Sequence, residues 1–219
     1  MHPLFPRLGT VTIAALLASV FIRADPLKLD YPPPKVTGTP APVKLVDLEA
    51  PNARPPQIEI PARASNLAAG KPATASDPYP VIGDMSLLTD GDKESEDGYY
   101  VELGPDLQWV QIDLEQKARI YGIGLWHFHS QARAYHDIIV QISDDPEFKS
   151  GVTTVFNNDQ DNSSQLGRGK DPAYIEKNTG RLIDARQTVG RYVRLYSHGN
   201  TTDSLNHYIE VEIWGVPAP

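Results

Sequence analysis

Carboxylates crowd one short turn of this 219-residue chain. Asp90-Gly91-Asp92 sets two acids two positions apart around a glycine that permits tight chain reversal, and Glu94, Glu96 and Asp97 follow at once. Calcium takes several hard oxygen ligands and mixes carboxylates with backbone carbonyls from one cramped loop. The turn is therefore a candidate cation site; the competing account is an acidic turn that simply faces water. A second concentration of chemistry is Trp126 to His136 (WHFHSQARAYH), which holds three of the six histidines beside Arg133 and Tyr135. His127 and His129 would share a strand face, a spacing open to metal, but no cysteine or acid follows at zinc-like spacing. Recognition by a loop tip fits this run better than catalysis by a metal, with His127 and His136 packing against neighbouring loops as the plainer account of those two. A third run, Asn157 to Ser164 (NNDQDNSS), is rich in groups that bind hydroxyls. It lacks the glycine and the closing glutamate of a calcium-loop signature. It either lines a polar pocket through Asn158 or Asp159, or forms a long solvated turn.

Elements must hold these residues in place, and the pattern from Asn66 onward predicts strands. Gln108 to Leu114 (QWVQIDL) alternates, with Val110, Ile112 and Leu114 on one face and Trp109, Gln111 and Asp113 on the other. Ala118–His127, Asp137–Ser143, Val152–Asn157, Arg181–Ala185, Arg191–Ser197 and Tyr208–Trp214 follow as short β-branched and aromatic runs separated by Gly, Asp, Asn and Pro. Strands at such spacing, without a long helical period, predict an all-β, antiparallel sandwich. Trp109, Trp126 and Trp214 are expected as core or near-core anchors. Arg194 is expected as a structural ion-pair partner, because unpaired buried charge is rare. The run Trp126 to His136 lies between two strands, at a sandwich tip, where binding residues concentrate on a rigid scaffold.

Upstream the composition changes. Val11 to Phe21 is an apolar stretch behind Arg7, too short to span a bilayer, and Ala24 closes a plausible cleavage site. Residues 1–24 are thus expected as a signal peptide, with an uncleaved anchor as the alternative; in either case the domain works outside the cytoplasm, as a secreted, periplasmic or cell-surface protein. Asp25 to Pro61 holds ten of the twenty prolines, so 25–64 is expected as a Pro-rich linker, with Val43–Leu48 its one candidate edge strand. A formal charge of −8 argues against nucleic acid and against strong binding to anionic membranes. The chain contains no cysteine, which excludes disulfides and thiol chemistry.

Five pieces in order carry a family resemblance: Asn66-Leu67-Ala68-Ala69-Gly70-Lys71-Pro72-Ala73-Thr74-Ala75-Ser76, Leu88-Thr89-Asp90-Gly91-Asp92, Trp109-Val110-Gln111-Ile112-Asp113-Leu114, Arg191-Tyr192-Val193-Arg194-Leu195-Tyr196 and Tyr208-Ile209-Glu210-Val211-Glu212-Ile213-Trp214-Gly215. Residues 65–216 so resemble the discoidin, or coagulation factor 5/8 type C, family, and in style its bacterial branch of family 32 carbohydrate-binding modules, which usually lack the cysteine pair of animal relatives. The resemblance implies a jelly-roll, galactose-binding-domain-like sandwich. It implies a structural Ca2+ held by Asp90, Asp92 and a glutamate near the carboxy terminus, matched here by Glu210, with oxygens near Ser95 completing the shell. The loop lacks the Thr-x-Trp ending common in the family after this turn. It further implies that a glycan sugar is bound by His129 and Arg133 through hydroxyls, with Tyr135 or Phe128 on its apolar face, His136 in reserve, and Asn158 or Asp159 in the same pocket. The expected function is a secreted, non-catalytic lectin-like module. An adhesive domain that binds extracellular proteins is the alternative, and a small hydrolase using paired carboxylates the remote one.

Overall fold

The structure, a computed structural model, describes residues 24–36, 38 and 42–219. The expected signal segment thus lies outside the described residues, apart from Ala24. Among the described residues no helix is long and apolar enough to cross a membrane.

Ten strands form an antiparallel β-sandwich. Two short ones lie upstream, β1 (Ala24–Pro26) and β2 (Glu59–Pro61). The sandwich itself comprises β3 (Ser65–Asn66), β4 (Ala73–Ala75), β5 (Val101–Leu103), β6 (Gln108–His127), β7 (Ile139–Ser143), β8 (Thr153–Asn157), β9 (Arg181–Ser197) and β10 (Asn206–Pro217). Their order is β3-β10-β6-β9-β7-β8, with β4 added on β6 and β5 on β10. The predicted runs 108–114 and 118–127 are one continuous strand, and so are 181–185 and 191–197. Both long strands bend midway. The β6–β9 register shifts between Asp113 and Ala118, and left-handed backbone occurs at Glu115 (φ 60°), Arg186 (φ 53°) and Gln187 (φ 57°). Before the bend, β6 pairs with β4 and the second half of β9; beyond it, with β10 and the first half of β9. Each long strand so serves both layers. Bulges of this type increase local twist and re-aim side chains.

The alternation in β6 places Val110, Ile112 and Leu114 in the core as predicted, together with Leu125, Ile138, Val193, Leu195, Val211 and Ile213. Trp126 is fully buried, whereas Trp109 and Trp214 are half-buried. Arg194 differs from expectation. Its guanidinium meets no carboxylate; it lies between the rings of Trp109 (4.2 Å) and Phe148 (4.3 Å), and donates to Gln111 Oε1 and the Pro146 carbonyl. A weakly hydrated planar cation is stabilised by aromatic faces without a counter-charge.

The Pro-rich segment, expected as a spacer, is strapped to the sandwich. β1 pairs with β2, and Leu27, Ile58 and Ile60 are buried against Tyr121, Leu182 and Trp214. Gly122 and Gly124 of β6 make room for it: a Cβ at Gly122 would stand 2.6 Å from Leu27 Cδ2, and one at Gly124 3.1 Å from Leu29 Cδ1. Asn178 Nδ2 donates to the Pro32 carbonyl at 2.7 Å, and Arg181 pairs with Glu49 at 2.6 Å. Val43–Leu48 adds no strand; only a single bridge joins Leu48 to Ala173. Proline prevents a continuous ladder here but leaves the side chains between prolines free to be buried.

Candidate functional site

The acidic turn follows a short 3-10 helix, Met85–Thr89, whose preceding Asp84 accepts from the Ser86 amide. Gly91 (φ 87°) then reverses the chain. Asp90 accepts from the Asp92 amide at 2.8 Å and Asp92 from the Glu94 amide at 3.0 Å, so both carboxylates brace their own loop. Glu210, on β10, reaches across and accepts from the Gly91 amide at 3.2 Å. It is fully buried, and its other oxygen, Oε1, has no hydrogen-bond partner among the described residues. Burial pushes its carboxyl up to about 9, and the charges of Asp90 and Glu212 add to the effect. The nearby cation does not relieve it, because Lys93 pairs with Glu212 at 2.5 Å and covers the Trp126 ring. An orphaned buried carboxylate beside an acidic loop of oxygen donors fits a hard divalent cation. The fit falls on Glu210 and Asp90 with loop carbonyls. Ser95 is committed elsewhere, its hydroxyl accepting from the amides of His129 (2.8 Å) and Ser130 (3.0 Å).

The residues expected to share one sugar pocket separate into three groups. His129 belongs with the acidic loop: it is 5% exposed and its Nε2 meets the Lys93 carbonyl at 3.0 Å. Asn158 and Asp159 are loop braces. Asn158 Oδ1 accepts from the Ile138 amide, and Asp159, fully buried, accepts from the amides of Ser163 and Ser164. Asp159 lies with Asp137 and Asp161, the carboxylates gathered within 4.8 Å of one another; Ser163 and His198 also contact Asp137. His136 is half-buried, and its backbone pairs with Gly199 and His198.

Arg133 and Tyr135 form the third group, together with residues from β5, the end of β6 and the start of β10. Arg133 lies over the Phe128 ring at 4.7 Å, donates to Gln131 Oε1 at 2.7 Å, and approaches Asp203 Oδ2 at 3.4 Å. Phe128 meets Tyr100 edge-on at 5.4 Å, and Tyr100 meets His207 in the same manner at 5.6 Å. Tyr135, 1% exposed, joins His207 Nδ1 at 2.9 Å through its hydroxyl, and His207 Nε2 joins Glu102 Oε2 at 3.1 Å. Burial, aided by the Arg133 charge, lowers His207 to about 4. A neutral imidazole has one donor nitrogen and an ionised Glu102 only accepts, so Nε2 carries the proton and Nδ1 accepts from Tyr135. Tyr135 is thus an internal strut, correcting its expected place against a sugar face. His127 is likewise internal, stacked on Tyr135 at 4.4 Å and bonded to Glu176 at 2.7 Å.

What reaches solvent here is Phe128, half-buried, with Gln131, Asp203 and, next to Tyr100, the exposed Tyr99. The chain beside β5 adds exposed Tyr79 and Val81, held by the Ile82–Glu102 bridge. Sequence reasoning missed Tyr100, Glu102, Asp203, Tyr79 and Tyr99. The alternation in Tyr99-Tyr100-Val101-Glu102-Leu103 was the available signal for a strand end with polar residues on one face. Two concavities, of about 330 and 1010 Å3, lie elsewhere, one along Thr154–Asn157 and one beneath the strap, and neither includes Phe128, Arg133 or His207. This end of the sandwich is a shallow, aromatic and polar surface.

No protein-family model and no curated protein matches the chain. Solved structures do. One is a family 89 glycoside hydrolase from Clostridium perfringens in complex with 2-acetamido-1,2-dideoxynojirmycin, with TM-score 0.53 and 16% identity over 70% of this chain and 15% of that one. Another is a truncated AlyQ with CBM32 and alginate lyase domains, with TM-score 0.52 and 16% identity over 71% of this chain and 34% of that one. The chain spans a minor part of either protein. At this identity the likeness establishes architecture alone: this chain is an antiparallel β-sandwich built like one portion of those larger carbohydrate-active proteins.

Proposed function

We propose that the chain is a non-catalytic carbohydrate-binding module, secreted or displayed outside the cytoplasm, that takes a glycan at the Phe128–Arg133 end of the sandwich. The observation that carries this reading is the flat stack of Arg133 on Phe128, ringed by Tyr100 and His207 and bordered by exposed Tyr99. Aromatic edges and fixed polar groups on a shallow surface suit the apolar face and hydroxyls of a pyranose. The internal chain Tyr135–His207–Glu102 gives that surface a rigid backing. A fold likeness to a glycoside hydrolase and to a protein carrying CBM32 supports it.

In this role Phe128 covers the sugar ring, while Gln131 and the outer edge of Arg133 offer hydrogen bonds. Each such bond contributes about 1 kcal/mol net, so one site binds weakly and retention relies on several sites or on tethering. The cation held by Glu210 and Asp90 would tie the acidic loop to β10 and supply no chemistry to the glycan. An adhesive role toward extracellular proteins is the second reading, favoured by the exposed run of Tyr79, Val81 and Ile82.

A glycan array probed with the wild-type chain, Phe128→Ala and Gln131→Ala tests the proposal, with thermal unfolding as the control for folding. Signal from a defined set of glycans, lost in Phe128→Ala while the fold is intact, is the expected result. Glycan binding indifferent to both substitutions, or retention on proteins alone, overturns it.

A further inference from the structure

The charge around the same surface selects among glycans, and this inference rests on the glycan reading above. Three carboxylates act on the Tyr100 ring: Asp97, Glu102 and Asp203. Arg133 is the one cation acting there, and it is already committed to Gln131, Asp203 and the Phe128 face. His207 is bound between Tyr135 and Glu102 and adds no positive charge. The surface therefore presents more negative than positive charge, on a chain that is itself acidic. Asp203 keeps its place through Asn200 Nδ2 (2.6 Å) and the Leu205 amide (3.0 Å), and about a third of its side chain is open to water. Asp97 is exposed. Beside these acids stand the open rings of Tyr99, 38% exposed, and Tyr79, 84% exposed. Carboxylates next to tyrosine faces are the combination that recognises an ammonium group, by charge and by cation–π attraction.

We propose that the glycan recognised here bears free primary amines: a chain of de-N-acetylated amino sugars, whose ammonium groups face Asp203 and Asp97 while the ring lies on Phe128. A polyuronate would place its carboxylates against these acids with no uncommitted cation to receive them. An N-acetylated chain would lose the charge pairing and keep only ring contacts.

Calorimetric titration with glucosamine, N-acetylglucosamine and uronate oligomers of equal length tests this at about pH 6, where a sugar amine is protonated. The glucosamine oligomer is expected to bind about tenfold more tightly than its acetylated counterpart, with the preference shrinking at high salt. Asp97→Asn and Asp203→Asn should each weaken binding about threefold, and the pair about tenfold, from charges roughly 6 Å apart in a water-like dielectric. Asp97→Asn changes an exposed side chain, so its effect does not depend on loop packing. Equal or tighter binding of the acetylated or uronate oligomer overturns the charge selection while leaving the glycan reading intact. Binding of no glycan removes both. Polylysine that competes as well as the amino-sugar chain would reduce the effect to bulk charge and overturn it.

Discussion

Glu210 carries a quantitative prediction. In a solution freed of divalent cations its buried carboxyl titrates at about 9, against 4.5 for the ordinary side chain. A pKa raised on folding means that the folded state holds the proton more tightly than the unfolded state. The associated stability is complete below about 4.5 and declines as pH rises through about 9. From about pH 6.5 to about pH 8.5 the loss is on the order of 3 kcal/mol at 1.36 kcal/mol per unit. That corresponds to a fall in Tm of roughly 10 °C for a body of this size. A bound cation takes the place of the proton, so millimolar calcium should flatten the decline and raise Tm most at the alkaline end. Glu210→Gln keeps the shape without the charge: with chelator it should be flat across this range and, above about pH 8, more stable than the wild type. In calcium the order should reverse. Calorimetric unfolding of both proteins, with chelator and with calcium, is the assay. A wild-type Tm that ignores pH in chelator, or calcium acting equally on both proteins, would refute the assignment of Glu210.

His207 should show the opposite pH dependence. Its pKa is depressed to about 4 from 6.5, so its stabilising effect is present above about 6.5 and is lost as pH falls toward 4, up to roughly 3 kcal/mol. Acid unfolding in saturating calcium, which silences Glu210, should show this slope in the wild type and lose it in His207→Gln; equal slopes would count against the buried neutral imidazole. Gly122→Ala places a methyl against Leu27, and overpacking of this kind destabilises by about 1–3 kcal/mol. Because Leu27 is the group that can yield, limited proteolysis should cut residues 24–64 faster while the sandwich stays folded, and unchanged cleavage would show that the strap is not held there.

The sandwich was legible because burial on one face imposes a period of two. Val110, Ile112 and Leu114 declare it, and Val193 and Leu195 repeat it. The joining of 108–114 to 118–127 was not legible, since a bulge at Glu115 leaves no mark in composition beyond a polar gap. The Pro-rich segment misled for a related reason: proline content reports on backbone pairing and says nothing of where Leu27 or Ile58 goes. Within the site, Arg133 was found from its loop position. Its neighbours Glu102 and His207 come from strands about 30 and 70 residues away in sequence, and only register brings Glu102 beside His207. His129 and Asn158 drew attention as hydrogen-bonding residue types, yet both are used up by backbone groups, a distinction that residue type alone does not carry.

The bare glycine track on β6 has a practical consequence for anyone wishing to transplant this module. Severing the polypeptide ahead of Ser65, at the visible start of the family-like segment, would strip Leu27, Ile58 and Ile60 from Tyr121, Leu182 and Trp214 and wet a flank that evolved under cover. A graft beginning at Ala24 would bring its own roofing along; one beginning at Ser65 would be prone to stick to other copies of itself.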